Sequence, residues 1–221
     1  KIMPNNTSNT LQFYGDTADV NEVYGLLSNN GKDGVLLFNN SVPMPEELRN
    51  TMKRWDANET DEEKAERIRI GEELKAKYGV DNWYDWSCEN WGTKWDAYDV
   101  GEWDVDEGGG GTWFNTAWSP PVPWLKATSA KFPRVTFEMS YTDEGCCYCG
   151  RVKVRGGVLL EDYNPEPFSK AGIELRGDMG TYNEGDDYEI RGRYEYLCEH
   201  PEDGSREEFE EYEEKYNNLD D

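Results

Sequence analysis

The chain has 221 residues, a formal net charge of −24 and 36% hydrophobic residues, enough apolar material to bury a core without metals or disulfide staples. No apolar run approaches the roughly 18 to 20 residues that a membrane-spanning helix needs, and the acidity disfavours direct contact with nucleic acid or anionic lipid. Five cysteines, an odd number with Cys146 and Cys147 adjacent, argue against a disulfide framework and for a reducing compartment.

The opening KIMPNNTSNT lacks the charged-then-apolar layout of a secretory leader, and the expectation is a soluble, cytoplasmic protein. In TLQFYGD, Leu11 and Phe13 alternate as in a strand. In DTADVNEVYGLLSNN, Val20, Val23, Tyr24 and Leu27 fall at helical spacing behind a cap at Asp16 or Thr17. DGVLLFNNSVPMP reads as a second, buried strand, which makes the opening β-α-β. After Pro45, Leu48, Met52 and Trp55 share one face of a short helix. Thr60-x-x-Glu63 is a capping box for a charged helix that runs to Tyr78 and stops at Gly79. Its narrow stripe of Ala65, Ile68 and Leu74 suits a helix lying on the surface.

DNWYDWSCENWGTKWDAYD, Asp81 to Asp99, holds four tryptophans and two tyrosines. Asp81 as N-cap and Gly92 as stop bracket one short helix, with Tyr84, Cys88 and Trp91 on one face and Trp83 and Trp86 in an adjoining stripe; such spacing points to core. GEWDVDE and TWFNTAW alternate with period two around Gly108 to Gly111, as in a hairpin with a glycine turn. PPVPWLKATSAKF is a helix begun by prolines, with Leu125 and Phe132 facing inward. RVTFEMSY places Val135, Phe137, Met139 and Tyr141 on one face. After the turn TDEG, CCYCGRVKVR shows Tyr148, Val152 and Val154 to one side and Arg151, Lys153 and Arg155 to the other. The order predicts an α+β fold, a ferredoxin-like antiparallel sheet with helices on one face.

Beyond Gly156 the pattern weakens into a Gly- and Asp-rich stretch read as loop with brief strands, and YEIRGRYEYL reads as one more strand. The end is clearer. Ser205-x-x-Glu208 is a second capping box, and Phe209, Tyr212, Tyr216 and Leu219 make one apolar stripe on a helix whose other faces are nearly all glutamate. The organisation is thus three segments that can pack as one unit: an N-terminal β-α-β with a helical insertion (1–79), a ferredoxin-like domain (80–160) and an acidic extension (161–221). That extension holds 21 Asp and Glu against 6 Lys and Arg, so it carries −15 of the −24.

Little in the chain suggests catalysis or metal binding. Cys146 to Cys149, with Cys88, Cys198 and His200, lack the two short-spaced ligand pairs of a zinc site, so free thiols, no metal and no cofactor are expected. His200 is the only histidine and lies in an acidic stretch, a weak basis for a nucleophilic triad. Sequons at Asn5, Asn6 and Asn58 read as chance matches.

Three blocks in this order, NWYDWSCENWGTKWDA, FNTAWSPPVPWL and FPRVTFEMSYTDEGCCYCGRVKVRGG, resemble the Api92-like, or YubB-like, ferredoxin-domain family of bacteriophages and conjugative plasmids. The start MPNNTSNTLQFYGD is similar to that family's opening, Met-x-Asn-x-x-x-Asn before the first strand, with Asn6 and Thr7 in place of the usual aromatic-cysteine pair. The resemblance spans most of residues 3–157 and implies a ferredoxin-like fold in an accessory protein of a phage or plasmid. It carries over neither an iron–sulfur cluster nor a catalytic residue.

Function is then a matter of surfaces. The expectation is a non-enzymatic protein of the host cytoplasm that binds, and inhibits or redirects, a host defence or nucleic-acid-processing protein with a basic surface. The contacts would be Glu207, Glu208, Glu210, Glu211, Glu213 and Glu214, helped by Asp186, Asp187, Glu202 and Asp203, since ordered carboxylates can imitate the roughly one charge per 1.7 Å of duplex DNA. An alternative uses Arg151, Lys153 and Arg155, with the Trp-rich stretch, to bind a nucleotide signal; against it stands pairing of those cations with Glu138 or with the acidic extension. A third is a structural virion component in which the acidity is only solubilising.

Overall fold

In the computed structural model, which describes residues 5–51 and 60–219, the strand expected around Leu11 and Phe13 runs from Asn6 to Tyr14 (β1) and becomes the centre of the fold. β3 (Gly109–Ala117) and β4 (Thr136–Asp143) flank it, both antiparallel. β2 (Asp104–Val105), β5 (Cys149–Arg155) and β6 (Val158–Tyr163) complete a six-stranded sheet in the order β2-β3-β1-β4-β5-β6. Segment 1–79 therefore supplies the strand that joins the two halves of segment 80–160, and the two share one sheet.

Alternation along each strand decides the faces. Leu11, Phe13, Phe114, Phe137, Met139, Val152 and Val154 point to one side and are fully buried there. The covering layer consists of α1 (Thr17–Leu27), α5 (Trp83–Asn90) and α6 (Val122–Lys131). Val20, Val23 and Leu27 of α1 and Leu125 of α6 enter this core as their spacing predicted. Trp124 is fully buried with its ring 4.3 Å from that of Phe38, and its indole nitrogen donates to Ser41 Oγ at 2.7 Å. Each large side chain so placed contributes about 1.5–3 kcal/mol through burial. The arrangement is the expected ferredoxin-like α+β fold.

α5 is a core helix, as its tryptophans suggested, but its cap and its face differ from expectation. Asn82, not Asp81, accepts the amide of Asp85, and Gly92 takes a left-handed φ of 84° beyond the end. Trp86, Ser87 and Trp91 are buried, whereas Trp83, Tyr84 and Cys88 are half-buried. The indole nitrogen of Trp91 donates to the carbonyl of Val42 at 2.9 Å, which turns that side of the helix inward.

Two expected strands are not strands. β1 already has a neighbour on each side, so DGVLLFNNSVPMP has no place beside it as the β-α-β reading required. Leu36 and Phe38 are buried instead through a loop and the single turn α2 (Phe38–Ser41). Side chains satisfy the backbone there: Phe38 N donates to Asp96 Oδ1 at 2.6 Å and Met44 N to Asn39 Oδ1 at 3.0 Å. YEIRGRYEYL lies within α8 (Asp187–Glu199), where Ile190, Arg193 and Leu197 are buried at helical spacing. Gly192 fits that helix because a Cβ there would fall 2.2 Å from the Phe168 ring. The stretch read as loop holds β6 and α7 (Lys170–Asp178).

Of the short helix after Pro45, α3 (Glu46–Arg49) buries Leu48, while Met52 and Trp55 lie outside the described residues. α4 (Asp61–Tyr78) has the predicted capping box and its stop at Gly79, and Leu74 alone of its residues is buried. The glycine run also departs from expectation. Gly109 to Gly111 belong to β3, and the turn is made before them, where Asp106 Oδ1 accepts the amides of Gly108 and Gly109.

Candidate functional site

The acidic extension folds into a lobe of α7, α8 and α9 (Arg206–Asn217). Ile190, Leu197 and Tyr212 form a second small core, joined by the predicted stripe residues Phe209, Tyr216 and Leu219. Tyr194 on α8 stacks on Tyr216 of α9 with ring centroids 4.5 Å apart. α9 is thus fixed to α8 by its apolar face.

Ser205 caps α9 by accepting the amide of Glu208 at 3.1 Å. The carboxylate of Glu208 does not return to close the box, as the sequence motif suggested; it turns to Arg193 of α8, accepting from Nη2 at 2.8 Å and from Nε at 3.1 Å. Arg193 is fully buried and donates also to Asp203 Oδ2 at 2.9 Å and to the Phe168 carbonyl at 2.8 Å. Asp203 takes the Lys170 amide as well, at 2.7 Å. Burial raises the pKa of Asp203, but the Lys170 amide and the Arg193 guanidinium outweigh it and hold the carboxyl below its ordinary value. Arg176 of α7 makes a second buried pair, with its Nη1 and Nη2 at 2.5 and 2.8 Å from the carboxylate of Glu189.

These pairs divide the expected contact residues. Glu208 and Asp203 face inward to Arg193. Asp186 caps α8, accepting the amide of Tyr188 at 2.9 Å. Glu207, Glu210, Glu211, Glu213 and Glu214 are exposed along α9, and Asp187 and Glu202 are exposed elsewhere on the lobe. Glu210 pairs with Arg206 at 2.7 Å and Glu211 with Lys215 at 2.7 Å, both exposed i,i+4 pairs of small energetic weight. Glu207, Glu210, Glu211 and Glu214 fall at i, i+3, i+4 and i+7, a single stripe roughly 10 Å long at 1.5 Å per residue. Glu195 and Glu199 of α8 are exposed too. The strand reading of α8 hid them, although Ile190, Arg193 and Leu197 at i, i+3, i+7 carried the helical signal.

The basic stripe on β5 lies on the face opposite Val152 and Val154. Lys153 Nζ is 2.7 Å from Glu138 and Arg151 Nη2 is 2.8 Å from Glu161, while Arg155 Nε donates to the Pro133 carbonyl at 3.3 Å. Both pairings follow the expectation, Glu138 across the sheet and Glu161 as the first residue of the acidic extension, although the sequence did not disclose that Glu161 sits on β6. The Trp-rich helix sits in the layer on the other side of the sheet.

The thiols are separated by environment. Burial pushes Cys146 up to about 11 in spite of the neighbouring Arg176 guanidinium, and burial raises Cys149 as well. Cys147 and Cys198 are exposed. Among the described residues no group of three His, Cys, Asp or Glu side chains could hold a metal ion, and no helix is long and apolar enough to cross a membrane. His200 stacks on Tyr196 at 4.5 Å and lies 3.7 Å from Glu202.

Residues 90–184 match the family described as ferredoxin-like domain in Api92-like protein. This match begins at the end of α5 and passes through β6 and α7, further toward the C-terminus than the resemblance in the sequence extended. α8 and α9 lie beyond it. No curated protein matches the chain. A solved structure, the protein api92 from Yersinia pseudotuberculosis, is similar at 10% identity over 73% of this chain and 98% of that one, with a TM-score of 0.48.

Proposed function

We propose that this chain, whose residues 90–184 are a ferredoxin-like domain of the Api92-like family, is a non-catalytic binding protein that engages a basic, nucleic-acid-binding surface of another protein through α9. The observation that carries this reading is the division of carboxylates in the lobe. Glu208, Asp203 and Glu189 face inward to hold Arg193 and Arg176, and an outward stripe remains on a helix fixed by its own aromatic residues. A fixed helix keeps its charges at constant spacing, which steers and selects a positive partner better than a disordered tail does. Four carboxylates over roughly 10 Å match the charge spacing of about 3.4 Å along one strand of DNA, half the density of the duplex. The wider reading, an accessory protein of a phage or plasmid that inhibits or redirects a host defence or nucleic-acid-processing protein in the host cytoplasm, rests on the family resemblance.

The test is retention of nucleic-acid-binding proteins from nuclease-treated host lysate by the whole chain and by a quadruple variant, Glu207→Gln, Glu210→Gln, Glu211→Gln and Glu214→Gln. A protein that the wild type retains, that duplex DNA displaces and that the variant loses supports the proposal. Equal retention by both sinks it. Point substitutions are used because removing α9 altogether would take Glu208 from Arg193 and Tyr212 from the second core.

A further inference from the structure

Gly109 and Gly111 stand opposite Tyr14 and Gln12 in the register of β3 against β1. A Cβ on Gly111 would lie 3.5 Å from Gln12 Cγ, so both glycines belong to the sheet face away from α1 and α6. On a strand every second side chain occupies that face, and here two successive places are bare. The gap is a trough floored by backbone. Glu102 and Asp104, on the β2 side, and Asp178 and Met179, at and just after the end of α7, also line it. It encloses about 650 Å³, within the range of roughly 300–1,000 Å³ usual for ligand clefts.

Two aromatic side chains border this space without entering the core. Trp113 is 54% exposed and Tyr14 is 45% exposed. The indole is seated against Gly101, where any Cβ would fall 2.1 Å from its ring nitrogen, and the Tyr14 hydroxyl donates to Gln12 Oε1 at 2.8 Å. Every charged side chain lining the trough is a carboxylate; none is Lys or Arg. An exposed, positioned indole beside uncompensated negative charge is complementary to a planar cation, and a guanidinium both stacks on aromatic faces and pairs with carboxylates bidentately.

We propose that the trough docks an extended basic segment of the partner protein, with one arginine side chain lying over Gly109 and Gly111 beside Trp113 and its guanidinium among Glu102, Asp104 and Asp178. The inference rests on the reading above that the partner is basic. It adds a second contact, on the open face of the sheet, distinct from α9.

The experiment is fluorescence anisotropy of a labelled extended arginine-serine peptide against the full chain at near-physiological salt, with thermal melting to verify folding of each variant. Gln12→Trp fills the trough without changing charge; Glu102→Gln with Asp104→Asn and Asp178→Asn removes its charge; Glu213→Gln with Glu214→Gln alters α9 alone. The trough variants are expected to weaken peptide binding about tenfold, the size of a good anchor contact, with the α9 variant within about twofold of wild type. Loss in the α9 variant and not in the trough variants overturns this inference and leaves the α9 proposal standing. Equal loss in all three sets, or unchanged binding in Gln12→Trp, reduces the effect to undirected attraction and also overturns it. Absence of binding to any form overturns this inference and leaves the α9 proposal to its own test.

Discussion

Arg193 on α8 and Glu208 on α9 meet at 2.8 Å across the lobe, with the guanidinium fully buried and the carboxylate only partly exposed. A motif that reads in sequence as a local helix cap is in the fold a long-range tie. Removing one partner of such a pair leaves an unmatched charge in poor solvent, whereas a pair in open water contributes little. Arg193→Leu is expected to destabilise the lobe by about 3 kcal/mol, and Glu208→Gln, whose site still reaches water, by about 1–2 kcal/mol. Amide hydrogen exchange localises the effect: faster exchange in α8 and α9 with β1 and β4 unchanged supports the assignment, and no change in α9 for Arg193→Leu contradicts it.

Acidification should loosen the same region. Asp203 has its pKa held below the ordinary 3.8 in the folded chain, so its ionised form is stabilised by folding. That contribution is complete above 3.8 and disappears as pH falls from there through the depressed value. Circular dichroism together with exchange of α8 and α9 amides across that acid range checks the sign, and Asp203→Asn should flatten the dependence. A lobe that tightens on acidification would contradict the pairing.

Thiol alkylation offers a separate check on how the lobe sits against the sheet. Cys146 lies under Arg176 and Glu189, with its pKa pushed up to about 11, so at mildly alkaline pH only about one thiolate per thousand is present. Exposed Cys147 and Cys198 should be modified first, with Cys146 and Cys149 following only on unfolding. Early modification of Cys146 in the folded protein would mean that the lobe does not cover it.

Much of the fold was legible because its signals are local. Val135, Phe137, Met139 and Tyr141 alternate, Thr60 and Glu63 close a capping box, and Phe209, Tyr212 and Tyr216 stripe a helix. The central place of β1 was not legible, since strand order is fixed by pairings with residues about a hundred or more positions away that no local period encodes. Leu36 and Phe38 read as a strand because a short buried apolar run has no period of its own. YEIRGRYEYL satisfied both periods, and only the burial of Arg193 between Asp203 and Glu208 separates them. The glycine run reads as a turn in sequence, yet its position in β3 is what opens the trough. For the acidic site, composition located the segment but could not tell which carboxylates face inward.

Arg151 and Lys153 of β5 are engaged by Glu161 and Glu138, so nucleotides have to compete there with partners already within hydrogen-bonding distance. Mono-, di- and cyclic nucleotides are expected to leave the melting temperature unchanged, since a ligand stabilises only in proportion to its occupancy of the folded state. Clear stabilisation by one of them, abolished in Lys153→Ala, would shift the reading to a nucleotide-binding face.

The central claim is that a fixed row of carboxylates on α9 meets a basic surface, and the most direct measurement is the affinity for the retained partner as a function of salt. Contacts that displace counterions give a logarithmic affinity that falls linearly with logarithmic salt concentration. The account predicts a steep negative slope for the wild type, and a slope shallower by several units and a weaker complex for the quadruple glutamine variant of α9. A flat salt dependence, or equal slopes for the two proteins, would contradict it.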